Sequence, residues 1–282
     1  MDKRTFKQLV TVMLTFFCIA VFCPVAHGDS GQHGKTKITQ ETSEGELAPV
    51  KENICKNPKL CDSIEIDILS NLQASKVPAF LPKPQASGAT QAYKLALNLG
   101  IVVTDALSAI IAKDKTAFLQ YAGMINDYGK KLGVSDAVLG KYNQLVETAN
   151  KGEWVRLETL TYEFKDAITG ELNTKKKAGE ATLSMVAGGL EGLYIEAKSL
   201  EKNFSKTSAE FLHNPGLFDY LNKYMRSLDE GLKGKAEVKA IVAALPQIGK
   251  TLNQPKTYAY SKKDVEELAK LLEPLRQAIL GG

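Results

Sequence analysis

Residues 183–204 read LSMVAGGLEGLYIEAKSLEKNF, and Leu183, Val186, Leu190, Leu193, Ala197, Leu200 and Phe204 recur there at alternating +3 and +4 spacing. A period close to 3.5 residues places those side chains on one face of a helix, which must then be covered by apolar neighbours. The same spacing returns on both sides of this stretch. Phe118, Tyr121, Ile125, Tyr128 and Leu132 make one stripe, and Trp154, Leu157, Thr161, Phe164 and Ile168 a second. Val238, Ile241, Leu245, Ile248 and Leu252 make a third, and Val265, Leu268, Leu272, Leu275 and Ile279 a fourth. A seam that keeps one bearing along its helix suits neighbours crossing at a shallow angle, as in antiparallel bundles. No alternating run of strand length interrupts the pattern, and no phrase repeats at the fixed spacing of a helical solenoid. The expected fold is therefore all-α, an antiparallel bundle of about seven or eight helices with heptad-spaced apolar seams.

The punctuation between the stripes agrees. Gly133 followed by Ser135-Asp136 reads as the end of one helix and the N-cap of the next. Thr207-x-x-Glu210 and Ser261-x-x-Asp264 have the spacing of capping boxes. Asn214-Pro215-Gly216 forces a turn after a helix ending near His213. Pro246 and Pro274 fall inside otherwise good helical patterns, so kinks or helix breaks are expected there.

Working outward to the N-terminus, the pattern stops. Lys3, Arg4 and Lys7 form a basic start, an apolar run extends from Leu9 to Val25, and Ala26-His27-Gly28 precedes Asp29. Residues 1–28 thus have the layout of a secretory signal peptide, the lesser alternative being an uncleaved membrane anchor. Residues 29–61 are a polar stretch with no apolar period, expected to be a flexible, disordered tether. They contain Cys55 and Cys61, the only cysteines after the signal, which an oxidising compartment would pair across Asn57-Pro58. Residues 62–86 read as a short helix, at Ile64 to Leu72, followed by a linker rich in proline. The bundle domain is placed at 87–282.

The chain has 282 residues, a net charge of +4 and 44% hydrophobic residues, which excludes fibrous, low-complexity and multi-span membrane classes. Loss of residues 1–28 takes away three cations and one anion and leaves a charge of +2. Only Arg156, Arg226 and Arg276 would then remain as arginines. Nucleic-acid readers cluster arginine for its planar fork, so no nucleic-acid partner is expected.

The stretch from Gln91 to Lys113 is apolar nearly all round, as the central helix of a bundle should be. Ala96, Gly100, Thr104, Ser108 and Ala112, four apart, form a small-residue ridge along it. Ser184, Gly188 and Gly192 form a second ridge in the quoted stretch, suited to close packing against a facing helix. Asn98 and Asp105, seven residues apart, share a face with Lys94 a turn further back. That line is either a narrow solvated stripe or a polar line across a ligand cavity between helices, lined also by Gly188 and Gly192.

Catalytic signals are scarce. His213 is the only histidine after residue 33, so Glu210-x-x-His213 cannot be doubled into a di-metal site. The sequence holds no GxSxG, no P-loop and no GxGxxG opening a helix. No metal, cofactor or catalytic residue is assigned. Tyr220, Tyr224, Tyr258 and Tyr260 mix with lysines near the C-terminus and form a candidate partner surface. The expected role is an exported, non-catalytic binding or scaffolding module in the periplasm or extracellular space. Its partner would be another protein or a second copy, with no membrane span after signal cleavage. A small-ligand carrier using the Asn98–Asp105 cavity is the alternative, and a carboxylate-dependent hydrolase the third reading.

Overall fold

A computed structural model of the protein describes Ser70 and residues 78–281. The signal peptide, the tether, the Cys55–Cys61 pair and all of the short helix except Ser70, which is helical, lie outside the described residues.

The described chain is all-α, with eight helices of ten residues or more: α1 Ala92–Ile111, α2 Lys115–Lys131, α3 Tyr142–Lys151, α4 Trp154–Thr174, α5 Ala178–Lys202, α6 Pro215–Ser227, α7 Ala236–Leu252 and α8 Lys262–Leu280. The quoted seam is buried from Leu183 to Leu200, with Phe204 half-buried just past the end of α5, and Leu157, Thr161, Phe164 and Ile168 of α4 and all five stripe residues of α7 are buried. The heptad pattern reports the packing faces because side chains at these spacings stack on one side of the helix.

At the centre lies α1, with 17 of its 20 residues buried. It is long and apolar enough to cross a membrane, yet it is wrapped by α2, α4, α5 and α8, which is why its apolar surface is continuous. Its tightest neighbour is α5. A Cβ built on Gly100 would lie 2.0 Å from the Ser184 carbonyl oxygen and 2.8 Å from the Gly188 amide nitrogen. The two small-residue ridges therefore meet backbone to backbone. The hydroxyls on α1 are satisfied within the contact: Thr104 Oγ1 donates to the carbonyls of Gly100 and Gly188, each at 3.2 Å, and Ser108 Oγ to Thr104 O at 3.1 Å.

Several local signals resolve as read and others do not. Ser261 and Asp264 form the capping box of α8, and Asn214 caps α6 by accepting from Leu217 N at 3.0 Å. The cap expected at Thr207 is instead Ser205, which accepts from Ser208 N at 3.0 Å. Ser135 is an N-cap by backbone position only. Its Oγ and N–H both donate to Glu171 of α4, at 2.7 and 2.9 Å, a charge-assisted pair that ties this turn to α4. Gly133 takes the left-handed conformation, φ 79°, that ends α2. Neither internal proline breaks its helix: α7 runs through Pro246 and α8 through Pro274, each at the cost of one backbone hydrogen bond.

The proline-rich stretch, expected to be a linker outside the domain, is a correction. Residues 78–91 carry no helix, but they pack on the bundle as an extended strap. Phe80 N donates to Ser199 Oγ at 2.7 Å, Tyr121 OH donates to Pro82 O at 2.5 Å, and Ser87 N donates to Tyr128 OH at 2.9 Å. Prolines keep such a segment extended, and its apolar side chains bury against helices already in place.

Candidate functional site

Asp105 of α1, Glu191 of α5 and Arg276 of α8 converge in the core. Arg276 Nε donates to Glu191 Oε1 and Oε2 at 2.8 and 3.0 Å, and Nη2 donates to Asp105 Oδ2 at 3.1 Å. Asp105 is 1% exposed and Glu191 2%. Burial first, and then the neighbouring Glu191 carboxylate, hold Asp105 well above the usual carboxylate range against the pull of Arg276. Burial raises the Glu191 carboxyl as well, and the Arg276 guanidinium opposes that rise. Tyr194 lies over Arg276, 5.5 Å from ring centroid to guanidinium carbon, and donates its hydroxyl to Glu273. Phe80 of the strap meets Tyr194 edge-on at 5.8 Å. Arginine, tyrosine and phenylalanine are layered from the core outward and close the cluster to solvent.

Both readings of the Asn98–Asp105 line are corrected. Asn98 is fully buried and ties α1 to α8, with Nδ2 donating to the Ile279 carbonyl at 3.0 Å and to Lys94 O at 2.9 Å. It does not belong to a solvated stripe. Neither does it line a cavity, because the Gly100 contact closes α1 onto Ser184 and Gly188, and Gly192 is buried in the same helix. The space recorded beside Glu191 and Arg276 is about 10 Å³, room for one water at most. Lys94 turns to the surface side and pairs with Glu237 of α7 at 3.0 Å, where Tyr93 OH also donates at 3.0 Å. What the sequence reading missed was Arg276. Its spacing places it one residue beyond Leu275 of the α8 seam, and a lone arginine at a seam edge was the available signal.

The tyrosines divide. Tyr220 and Tyr224 pair on α6 with rings 4.5 Å apart, both half-buried against the core, and Tyr258 is exposed. Tyr260 is a correction to the partner surface: it is 2% exposed, and its hydroxyl donates to Thr251 O at 2.7 Å, fastening the turn before α8 to α7. His213 sits beyond a single 3₁₀ turn, Glu210–Leu212, with Nδ1 buried and unpartnered among the described residues.

Glu196 of α5 is 3% exposed, and burial alone pushes its carboxyl up to about 8. No cation pairs with it among the described residues. The native protein holds a proton there that the unfolded chain has released between about pH 4.5 and 8, so stability falls as pH rises through that window. The slope is about 1.4 kcal/mol per pH unit. Glu196→Gln is expected to flatten this part of the profile and to raise the melting midpoint at pH 8. Thermal melts from pH 5 to 9 check it, and an unchanged slope in the variant refutes it.

A concavity that reaches solvent lies elsewhere among the described residues. A groove of about 650 Å³ runs between α6 and α7. Phe218 and Met225 of α6 face Val242, Leu245 and Pro246 of α7 across it, while Arg226, Lys233 and Lys239 stand on its rim with Asn222. Sequence supplies the floor through the same seams that build the core, because Met225 and Leu245 are buried at the α6–α7 contact. Val242, one turn before Pro246, is 46% exposed. Its carbonyl has no donor at position 246, since proline carries no N–H. Gly249 of α7 lies under the Phe218 ring: a Cβ there would meet that ring at 2.4 Å, so glycine lets the ring lie on α7. Among the described residues no carboxylate lines the groove.

Compared with known protein families, with curated proteins and with solved structures, the chain gives no match.

Proposed function

We propose that this protein is an exported, non-catalytic helical module that binds through the α6–α7 groove. The observation that carries the reading is the groove itself: an apolar floor open to solvent, edged by cations, on a face where Val242 remains unburied. Large exposed apolar side chains are few on this molecule, Val155, Val242 and Tyr258 among the described residues, and Val242 is the one that lies in a concavity. The carboxylates that converge do so in the closed core, without a cleft through which a substrate would reach them, which weighs against the hydrolase reading. Export rests on the sequence of residues 1–28, with the bundle following a tether and a strap.

The test is native mass spectrometry of the chain purified from the extracytoplasmic fraction of its own host. A bound mass that disappears on denaturation is expected from the wild type. It should be lost in Val242→Asp and kept in Val155→Asp, a control on a separate exposed valine of α4. A bare wild-type protein, or a bound mass that survives Val242→Asp, overturns the assignment.

A further inference from the structure

We propose that the occupant of the α6–α7 groove is a single-chain amphiphilic anion: an unbranched apolar tail ending in a carboxylate, taken up as a monomer from solution. This rests on the binding function assigned to that groove above and names its ligand. Three observations carry it. The volume, about 650 Å³, falls in the range of small-molecule sites, roughly 300–1,000 Å³. The lining is mainly hydrocarbon and aromatic ring, from Phe218 and Met225 on one wall to Val242 and Pro246 on the other, with Asn222 among them.

The charge is the third observation. Arg226 and Lys239 stand on opposite walls, and neither has a carboxylate partner among the described residues. Lys233 joins them, though it also pairs with the exposed Glu230 at 3.0 Å. Over the chain as a whole cations exceed anions only slightly, 36 to 32, so three cations together in a lining that includes no carboxylate among the described residues depart from the overall balance. Two uncompensated cations facing each other over an apolar floor select a ligand with a greasy body and an anionic end. A guanidinium also offers a planar fork to a carboxylate, which an ammonium does not. The tail supplies affinity by burial, and the head supplies direction and preference.

The experiment is a fluorescence competition on the full-length chain. Dansyl-tagged undecanoate serves as probe, laurate as competitor, and dodecyltrimethylammonium as the competitor with the same tail and opposite head. Laurate is expected to displace the probe at least tenfold better than the ammonium surfactant. Val242→Asp places a carboxylate in the groove from an exposed position and should weaken laurate at least tenfold with an unchanged thermal melt. Arg226→Gln/Lys239→Gln should abolish the preference between the two heads while the probe still binds. Gly249→Ala, which drives the Phe218 ring into the groove, should weaken both competitors alike.

Failure of laurate to displace the probe, equal displacement by both surfactants, or equal laurate binding by Val242→Asp overturns the proposal. The binding role of the groove is judged separately. A native bound mass that depends on Val242, together with no laurate binding, sinks the amphiphile and leaves the groove as a site for something else, a protein included.

Discussion

Arg276→Met is expected to destabilise the fold by about 3–5 kcal/mol, the usual cost of removing one partner from a buried charge cluster. For a bundle of this size that is a fall in melting midpoint of about 10 °C or more. The methionine fills much of the arginine volume, so the loss is electrostatic more than steric. Without the guanidinium, Glu191 keeps its burial and loses the neighbour that most directly opposes it, so its carboxyl rises further. Asp105 is already held high by burial and by Glu191. The variant must then carry two buried protons that the unfolded chain has released above the usual carboxylate range. Its stability should therefore fall more steeply with rising pH than that of the wild type.

The same argument names a rescue. Glu191→Gln in the Arg276→Met background removes the charge left without a partner, and should recover about 2 kcal/mol, a coupling typical of residues in one network. Asp105→Asn, which mimics the protonated acid, should be tolerated alone. Thermal and chemical denaturation of the wild type, Arg276→Met, Glu191→Gln and the double variant check the cycle, with Asp105→Asn as a fifth protein. A midpoint for Arg276→Met within about 2 °C of wild type would show that the cluster contributes little.

Gly100→Ala is the second large effect. The added methyl would meet the Ser184 carbonyl oxygen at 2.0 Å and the Gly188 amide at 2.8 Å, and these are backbone atoms that no rotamer change can move. Either α1 and α5 separate along their whole contact, or the helix bends. Overpacking of this kind costs about 3 kcal/mol, at the upper end for an inserted carbon, and the roughly 1 kcal/mol gain in helix propensity offsets only part of it. Opening the contact also lengthens the Thr104 hydrogen bond to the Gly188 carbonyl. A fall in melting midpoint of about 5 °C or more is expected.

Gly170→Ala supplies the internal control. Gly170 is an exposed interior residue of α4 with nothing within 4 Å of a Cβ placed on it. There the propensity gain acts alone and should stabilise by about 0.5–1 kcal/mol. Two glycine-to-alanine changes in neighbouring helices thus have opposite expected signs. If both stabilise, the backbone contact between α1 and α5 is looser than described.

The sequence by itself determined which residues form the core. The alternating +3 and +4 spacing is a property of helical geometry, so α2, α4, α5, α7 and α8 were legible from Phe118, Leu157, Leu190, Ile241 and Leu268 and their repeats. The central position of α1 was equally plain, because a helix apolar on every side has no face for water. The close approach at Gly100 followed from two ridges that only small residues can make.

Tertiary structure decided the rest. Asp105, Glu191 and Arg276 are 86 and 85 positions apart in sequence, and periodicity carries no information about which helices meet at which height. Asp105 therefore read as a surface or cavity residue, although its partner on α8 makes burial tolerable. The strap at residues 78–91 was invisible for a related reason: an extended segment without a period declares itself only through what it packs on, here Ser199, Tyr121 and Tyr128. The groove, too, belongs to two helices at once. Val242 and Pro246 look like ordinary outward residues of α7 until α6 brings Phe218 and Arg226 alongside them, because a concavity is a property of the gap between elements and of neither element alone.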